Sequence, residues 1–264
     1  MRLTWYGTAG FRIETCERVF LIDPYLSRIT AACPALPIGP QDVTQADEIY
    51  LSHGHFDHAA DVPQIANQTG ATVYCSAKVA QALRRQGVDG AQIAVARDGD
   101  AFDSSAYRAQ CYDSTHVRFD LPLIAATLYR SLPALLPCLW RLCGLRRWPR
   151  GQVLTWRFTL AAENDRIVQH LGSAGCTEDE LARLETLDAP DVLMIPLQGH
   201  THICRIATRI VARLRPRVVI PHHHDDFFPP LSQTVDIAPF VAAMSALSPP
   251  AKVIELPVCE PVEV

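Results

Sequence analysis

Leu51-Ser-His-Gly-His-Phe-Asp-His-Ala-Ala-Asp61 decides the reading of this chain. It places His53, His55, Asp57 and His58 within six positions. Three imidazoles and a carboxylate crowded that tightly suit a borderline metal such as zinc, and little else in protein chemistry needs them together. The preceding Asp47-Glu-Ile-Tyr-Leu-Ser reads as a strand. The four residues therefore fall on the turn at its C-terminal end, where loop side chains can converge on one point. His53 and His55 alternate and share one side of an extended turn, whereas Asp57 and His58 open the next helix and can face a second metal.

Outward from this turn, two halves of the chain share a pattern. Phe11-Arg-Ile-Glu-Thr followed by Val19-Phe-Leu-Ile-Asp has a counterpart in Val153-Leu-Thr-Trp-Arg-Phe-Thr-Leu followed by Arg166-Ile-Val-Gln-His-Leu-Gly-Ser. Each pair reads as strand, polar turn and strand. Helical stretches are expected at Ala77–Gln86, Glu178–Leu187 and His202–Leu214. Strands alternating with covering helices in two similar halves predict two packed sheets with helices outside them.

His-x-His-x-Asp-His resembles the signature of the metallo-β-lactamase superfamily. Leu3-Thr-Trp-Tyr-Gly-Thr-Ala-Gly-Phe-Arg-Ile-Glu and Val19-Phe-Leu-Ile-Asp-Pro are similar to the opening strands of that fold. The resemblance is closest to the branch with ascorbate-6-phosphate lactonase and the N-acylphosphatidylethanolamine phospholipases, and runs from about Met1 to about Phe228. It implies an α/β, four-layer αββα sandwich over a single domain, 1–264, with the metal site along one edge where loops of both sheets meet.

The 264 residues can bury a substantial core. With 48 % hydrophobic and 20 % charged residues, the composition is that of an ordinary globular protein. A net charge of −4 gives no electrostatic footprint for nucleic acid, which is not an expected partner. Nine cysteines without CxxC spacing, and no recognisable signal peptide, point to a reduced cytoplasmic protein. Cys16, Cys75 and Cys111 fall in strand-like runs and are expected in the core.

Residues 119–150 exceed a minimal version of the fold. The segment is rich in Leu, Ala, Pro and Trp, then turns basic at Arg141, Arg146, Arg147 and Arg150. Arg130, Pro133 and Pro137 break its apolar stretches, which are too short for a transmembrane segment. It reads as an apolar helical insertion: a pair of core helices, a lid beside the site, a surface for homo-oligomerisation, or a membrane-surface contact.

The resemblance implies the remaining ligands. His116, in Tyr112-Asp-Ser-Thr-His, matches an isolated third histidine and completes a site with His53 and His55, leaving a tetrahedral position open. A carboxylate bridging two metals is expected in a Gly-Asp-Thr-Gly-like loop, but Leu171-Gly-Ser-Ala-Gly carries Ser173 there. Losing that charge weakens a second metal, although two divalent ions remain the expectation, zinc first and manganese as the alternative. In Ile220-Pro-His-His-His, the pattern selects His223 to join Asp57 and His58, with His222 or His224 in its place if the register slips by one. His200 and His202 are expected at the site rim as substrate-binding groups or general acids, and Asp23 is expected to orient a ligand histidine. Zinc would lower the pKa of its water to about 7, and Asp57 would accept a hydrogen bond from that nucleophile. The function implied is hydrolysis of an ester, lactone or phosphodiester in a partly hydrophobic small molecule. The alternative is a non-catalytic metal-binding or ligand-sensing protein with a weakened second site.

Overall fold

The computed structural model describes residues 1–134 and 147–264. The N-terminal half supplies β1 (Arg2–Trp5), β2 (Phe11–Glu14), β3 (Val19–Ile22), β4 (Glu48–Tyr50), β5 (Thr72–Cys75) and β6 (Ile93–Val95). The rest supplies β7 (Ala101–Asp103), β8 (Tyr107–Ser114), β9 (Val153–Leu160), β10 (Arg166–Leu171), β11 (Val192–Pro196), β12 (Val218–His222), β13 (Lys252–Val253) and β14 (Pro261–Glu263). They form two sheets, in the orders β14-β1-β2-β3-β4-β5-β6 and β13-β12-β11-β10-β9-β8-β7.

The repeat read from the sequence is present in the pairing. β2 and β3 form an antiparallel pair, as do β9 and β10. Each pair then continues into parallel strands, β4 to β6 on one side and β11 to β13 on the other. Parallel strands need crossovers, and helices provide them. The helices are α1 (Phe56–Ala59), α2 (Val62–Thr69), α3 (Ala77–Arg85), α4 (Leu121–Ser131), α5 (Glu178–Glu185), α6 (Ile203–Leu214) and α7 (Ala238–Ser245), and all but α4, which lies between the antiparallel β8 and β9, sit in such crossovers.

Three apolar clusters define the layers. Phe11, Ile13, Phe20 and Tyr50 meet Trp156, Phe158, Val168 and Met194 between the sheets. Leu21, Ile49 and Val73 pack outward on Ile65, Val79 and Leu83 of α2 and α3. Leu193, Ile195 and Val219 pack outward on Leu181, Ile210, Val211 and Phe240 of α5, α6 and α7. Strands apolar on both faces are what a sheet covered on both sides demands. The αββα sandwich follows.

Two expectations need correction or restriction. Cys75 and Cys111 are buried, but Cys16 is exposed, because it lies in the polar turn between β2 and β3 rather than in either strand. Within the insertion, α4 ends in a short 3₁₀ turn, Leu132–Ala134. Its Leu121, Leu128 and Tyr129 are largely exposed, so α4 is not a core helix. Pro137, Arg141 and Arg146 lie outside the described residues. Among the described residues, no helix is long and apolar enough to cross a membrane.

Candidate metal centre

The parallel strands set the site, because their C-terminal ends all open on one edge. β3 delivers Asp23 with a positive φ of 43°, a conformation that Asp tolerates better than most residues. β4 delivers Ser52 and His53. Asp23 Oδ1 accepts from the Ser52 amide at 2.7 Å, and Asp23 Oδ2 accepts from the Ser52 hydroxyl. Asp23 is fully buried, and so is its neighbour Ser52. Gly54 then lets the chain turn against the insertion: its amide donates to Arg150 O at 2.8 Å, and a Cβ there would stand 2.2 Å from Pro149 O. His55 occupies the N-cap of α1, and its carbonyl accepts from the amides of His58 and Ala59.

The structure brings the sequence-derived residues together in two groups. In one, His53, His55 and His116 place a nitrogen each within 4.8 Å of one another. In the other, a carboxylate oxygen of Asp57 and a nitrogen each of His58 and His223 lie equally close. His53 belongs to both neighbourhoods, since its ring centroid lies 3.9 Å from that of His58 and 5.2 Å from that of His116. His116 arrives from the end of β8 and fixes its ring through Nδ1, which donates to Val117 O at 2.7 Å. That leaves its Nε2 facing the group.

His223 resolves the three consecutive histidines. His222 ends β12 inside the inter-sheet core, edge-on to Phe11 and stacked on His170. His224 stacks on Trp5. Between them His223 has a φ of 56°, which turns its side chain out of strand alternation to within 3.3 Å of Asp57 Oδ2. Its amide donates to Thr8 O at 2.8 Å.

The electrostatics favour the metal-binding forms of His53, His55, His116 and Asp57, whereas His58 is shifted toward its protonated form. Burial holds His53 well below the ordinary imidazole range, lowers His55 to about 4 and lowers His116. A neutral imidazole is the form that donates a lone pair to a cation. Burial opposes ionisation of Asp57, but the charges of His58 and His223 outweigh it and hold that carboxyl low. Burial likewise pushes His58 down, and the carboxylates of Asp23 and Asp57 reverse the shift. His58 Nδ1 lies 2.8 Å from Asp23 Oδ2, which leaves Nε2 toward Asp57. A carboxylate behind a histidine in this way sets its tautomer for metal ligation.

A divalent ion fits these donors. His53 Nε2 and His55 Nδ1 lie 3.0 Å apart. Two nitrogens bound at about 2.0–2.1 Å in a tetrahedral site would stand roughly 3.3 Å apart. His223 turns its Nε2, not its Nδ1, toward Asp57. Ser173 lines the same cavity, but its Oγ accepts from the Val117 amide at 2.8 Å and so braces the His116 loop.

The six residues border a cavity of 370 Å³ completed by Trp148, Phe119, Gln198 and Phe227. His200 and His202 do not line it. Gly199 has a φ of 97°, and the turn it makes sends Gln198 into the cavity and the two histidines away. His200 instead borders an adjoining groove with His116, Arg118, Arg205 and Arg209, and it lies 3.9 Å from Asp120. His202 is exposed and lines a third hollow between α4 and α6. Ser52 was missed in the sequence; only its position before His-x-His marked it.

A sequence profile described as a Beta-lactamase superfamily domain matches residues 18–224. A UPF0173 metal-dependent hydrolase from Methanosphaera stadtmanae is 26 % identical over 240 residues, covering 90 % of this chain and 89 % of that protein. Among solved structures, the metallo hydrolase Igni18 of Ignicoccus hospitalis superposes with a TM-score of 0.70 at 20 % identity, over 99 % of this chain and 97 % of that one. An isothiocyanate hydrolase from Delia radicum gut bacteria gives 0.69 at 18 %, over 100 % and 99 %.

Proposed function

The chain belongs to the beta-lactamase superfamily, and from that premise we propose that it is a metal-dependent hydrolase of an ester, lactone or phosphodiester in a partly apolar small molecule. The observation that carries this reading is the pair of facing donor groups, His53–His55–His116 and Asp57–His58–His223, at the floor of one cavity. They would hold two divalent ions, zinc first and manganese as the alternative. Such ions supply Lewis acidity toward a carbonyl or phosphoryl oxygen and an ionised water at neutral pH.

The chain's own residues do the rest. Asp57 is held ionised, so it accepts a hydrogen bond at the cavity floor. The buried Trp148 walls one side of the cavity and limits the access of water there, which strengthens the charge interactions beside it. His200, through the groove that shares His116 with the cavity, is placed to meet the departing half of the substrate; His202 lies farther out. Cys75, Cys111 and Cys176, unpaired among the described residues, fit a reducing, cytoplasmic setting.

Ser173 favours a second reading. Its hydroxyl is committed to Val117, so no carboxylate bridges the two groups. A weakened second site would leave a metal-binding or ligand-sensing protein. Elemental analysis of tag-free protein, run beside a panel of generic esters, lactones and bis-aryl phosphodiesters, separates the two. Near two ions per chain with turnover is the expected result. One ion or fewer, with no turnover after metal is restored, moves the assignment to a binding protein.

A further inference from the structure

A second cavity, of 320 Å³, opens directly off the metal cavity. The two share Phe56, Phe119, Gln198, Gly199 and Phe227. Two aromatic rings form the neck between them. Phe119 stands edge-on to His116 at 6.3 Å between ring centroids, and Phe227 stands edge-on to His223 at 5.1 Å. Each ring thus touches one of the two donor groups on one side and the second cavity on the other.

Beyond the neck, Leu123, Ile124 and Leu128 of α4 form one wall, and Phe228 and Leu231 of the segment after β12 form the other. The hollow is open to solvent along α4, where Ile124 is 40 % and Leu128 62 % exposed. A walled apolar hollow that joins a catalytic floor is the shape of a ligand subsite. Gly199 keeps the neck clear. A Cβ at this position would lie 2.6 Å from Val117 Cγ1 and 3.0 Å from Phe119 Cε1, displacing the ring that forms the neck.

We propose that this cavity receives an apolar acyl arm of the substrate, several carbons long, attached to the group that is cleaved over the metal centre. The proposal rests on the metal-centre reading and adds to it where the arm lies and what sets its length. α4 comes from the insertion, so the length of the arm accepted is a property of this chain's insertion rather than of the ligand motif. Phe119 and Phe227 orient the arm; Leu123, Ile124 and Leu128 measure it.

Alkyl hydroxamates test both parts separately, because the head chelates metal and the tail reads the cavity. Binding of the series from acetohydroxamate to decanohydroxamate to the zinc-loaded full chain is measured by calorimetry. Affinity is expected to rise roughly fourfold per methylene, the transfer value for a buried carbon, and to level off once the cavity is full. Ile124→Asp and Leu128→Asp, both at solvent-accessible positions of α4, are expected to flatten the rise. A wild-type series that is flat while acetohydroxamate binds overturns the arm subsite. If Leu128→Asp also changes the sedimentation coefficient, α4 faces a second copy of the chain instead. Failure of acetohydroxamate to bind removes the metal-centre reading. A decanoyl probe with a terminal diazirine then decides the cavity by itself: crosslinks within Leu121–Ser131 or Phe228–Leu231 support the subsite, and crosslinks elsewhere overturn it.

Discussion

Asp23 Oδ2 lies 2.8 Å from His58 Nδ1, although 35 residues separate the two in sequence. The same carboxylate takes both the amide and the hydroxyl of Ser52. One buried group therefore fixes the tautomer of His58 and the end of the strand that carries His53. Asp23→Asn keeps the size and removes the charge. It is expected to weaken the ion held by Asp57, His58 and His223 by roughly 10–100-fold, the usual cost of losing a group behind a metal-ligating histidine. Competition with a fluorescent chelator measures it, and an unchanged second affinity would mean that Asp23 is only structural.

Ser173 makes two opposite predictions. Ser173→Ala leaves the buried Val117 amide without its acceptor, which is expected to destabilise the fold by about 1–3 kcal/mol in urea. Ser173→Asp restores a carboxylate at the cavity wall and is expected to raise occupancy of the second ion. His116→Ala, by contrast, should lose the first ion and activity together. Urea denaturation reads the first variant, and elemental analysis beside an activity assay reads the other two; an aspartate at 173 that leaves occupancy unchanged would show that the position does not face both ions.

Acid should weaken the metal-free fold through the buried histidine pair. His170 and His222 stack at 4.9 Å, both fully buried. Burial lowers His170 to about 4 and holds His222 well below its ordinary range. The unfolded chain takes up these protons near pH 6.5, and the native state refuses them. Stability from His170 is therefore fully present above pH 6.5 and is lost as pH falls toward 4, by on the order of 3 kcal/mol. His58, with its raised value, changes in the opposite sense. Comparing the wild type with His170→Phe at pH 7.5 and 4.5 isolates the His170 share. Identical pH slopes in the two proteins would refute it.

The donor set was legible because metal ligation is local. His53, His55, Asp57 and His58 lie on one turn, and His116 sits at a strand end that the apolar pattern already marked. His223 needed more, since alternation alone left its neighbours open; the positive φ that decides it has no signature in three identical residues. His200 and His202 were expected at the rim, but the turn at Gly199 puts Gln198 in the cavity instead. The apolar run of α4 read as core, lid, oligomer surface or membrane contact, because composition does not say on which side solvent lies. Asp23 was expected to orient a ligand histidine, and it lies against His58 Nδ1; the contacts of Arg28 and Asp225 were the least visible, being made between residues up to 217 apart with no motif to connect them.

That last group supports the strongest stability prediction. Arg28 pairs with Asp225, and the side chains are only 4 % and 2 % exposed. The same guanidinium donates to Thr8 Oγ1 at 2.8 Å, and Asp225 accepts from the Thr8 amide at 3.0 Å. Thr8 O in turn accepts from the amide of His223. Thr8 and His223 both have positive φ, at 49° and 56°, so the buried pair holds two strained residues in register. Arg28→Met would strand the Asp225 charge and is expected to cost about 3–5 kcal/mol. Arg28→Met with Asp225→Asn removes both charges and keeps an acceptor for the Thr8 amide, so it should recover much of that loss. Urea denaturation of the two proteins checks the sign. If the double variant is no more stable than the single one, the cost lies in lost packing of the arginine stem rather than in an unpaired charge, and the clamp on His223 is not electrostatic.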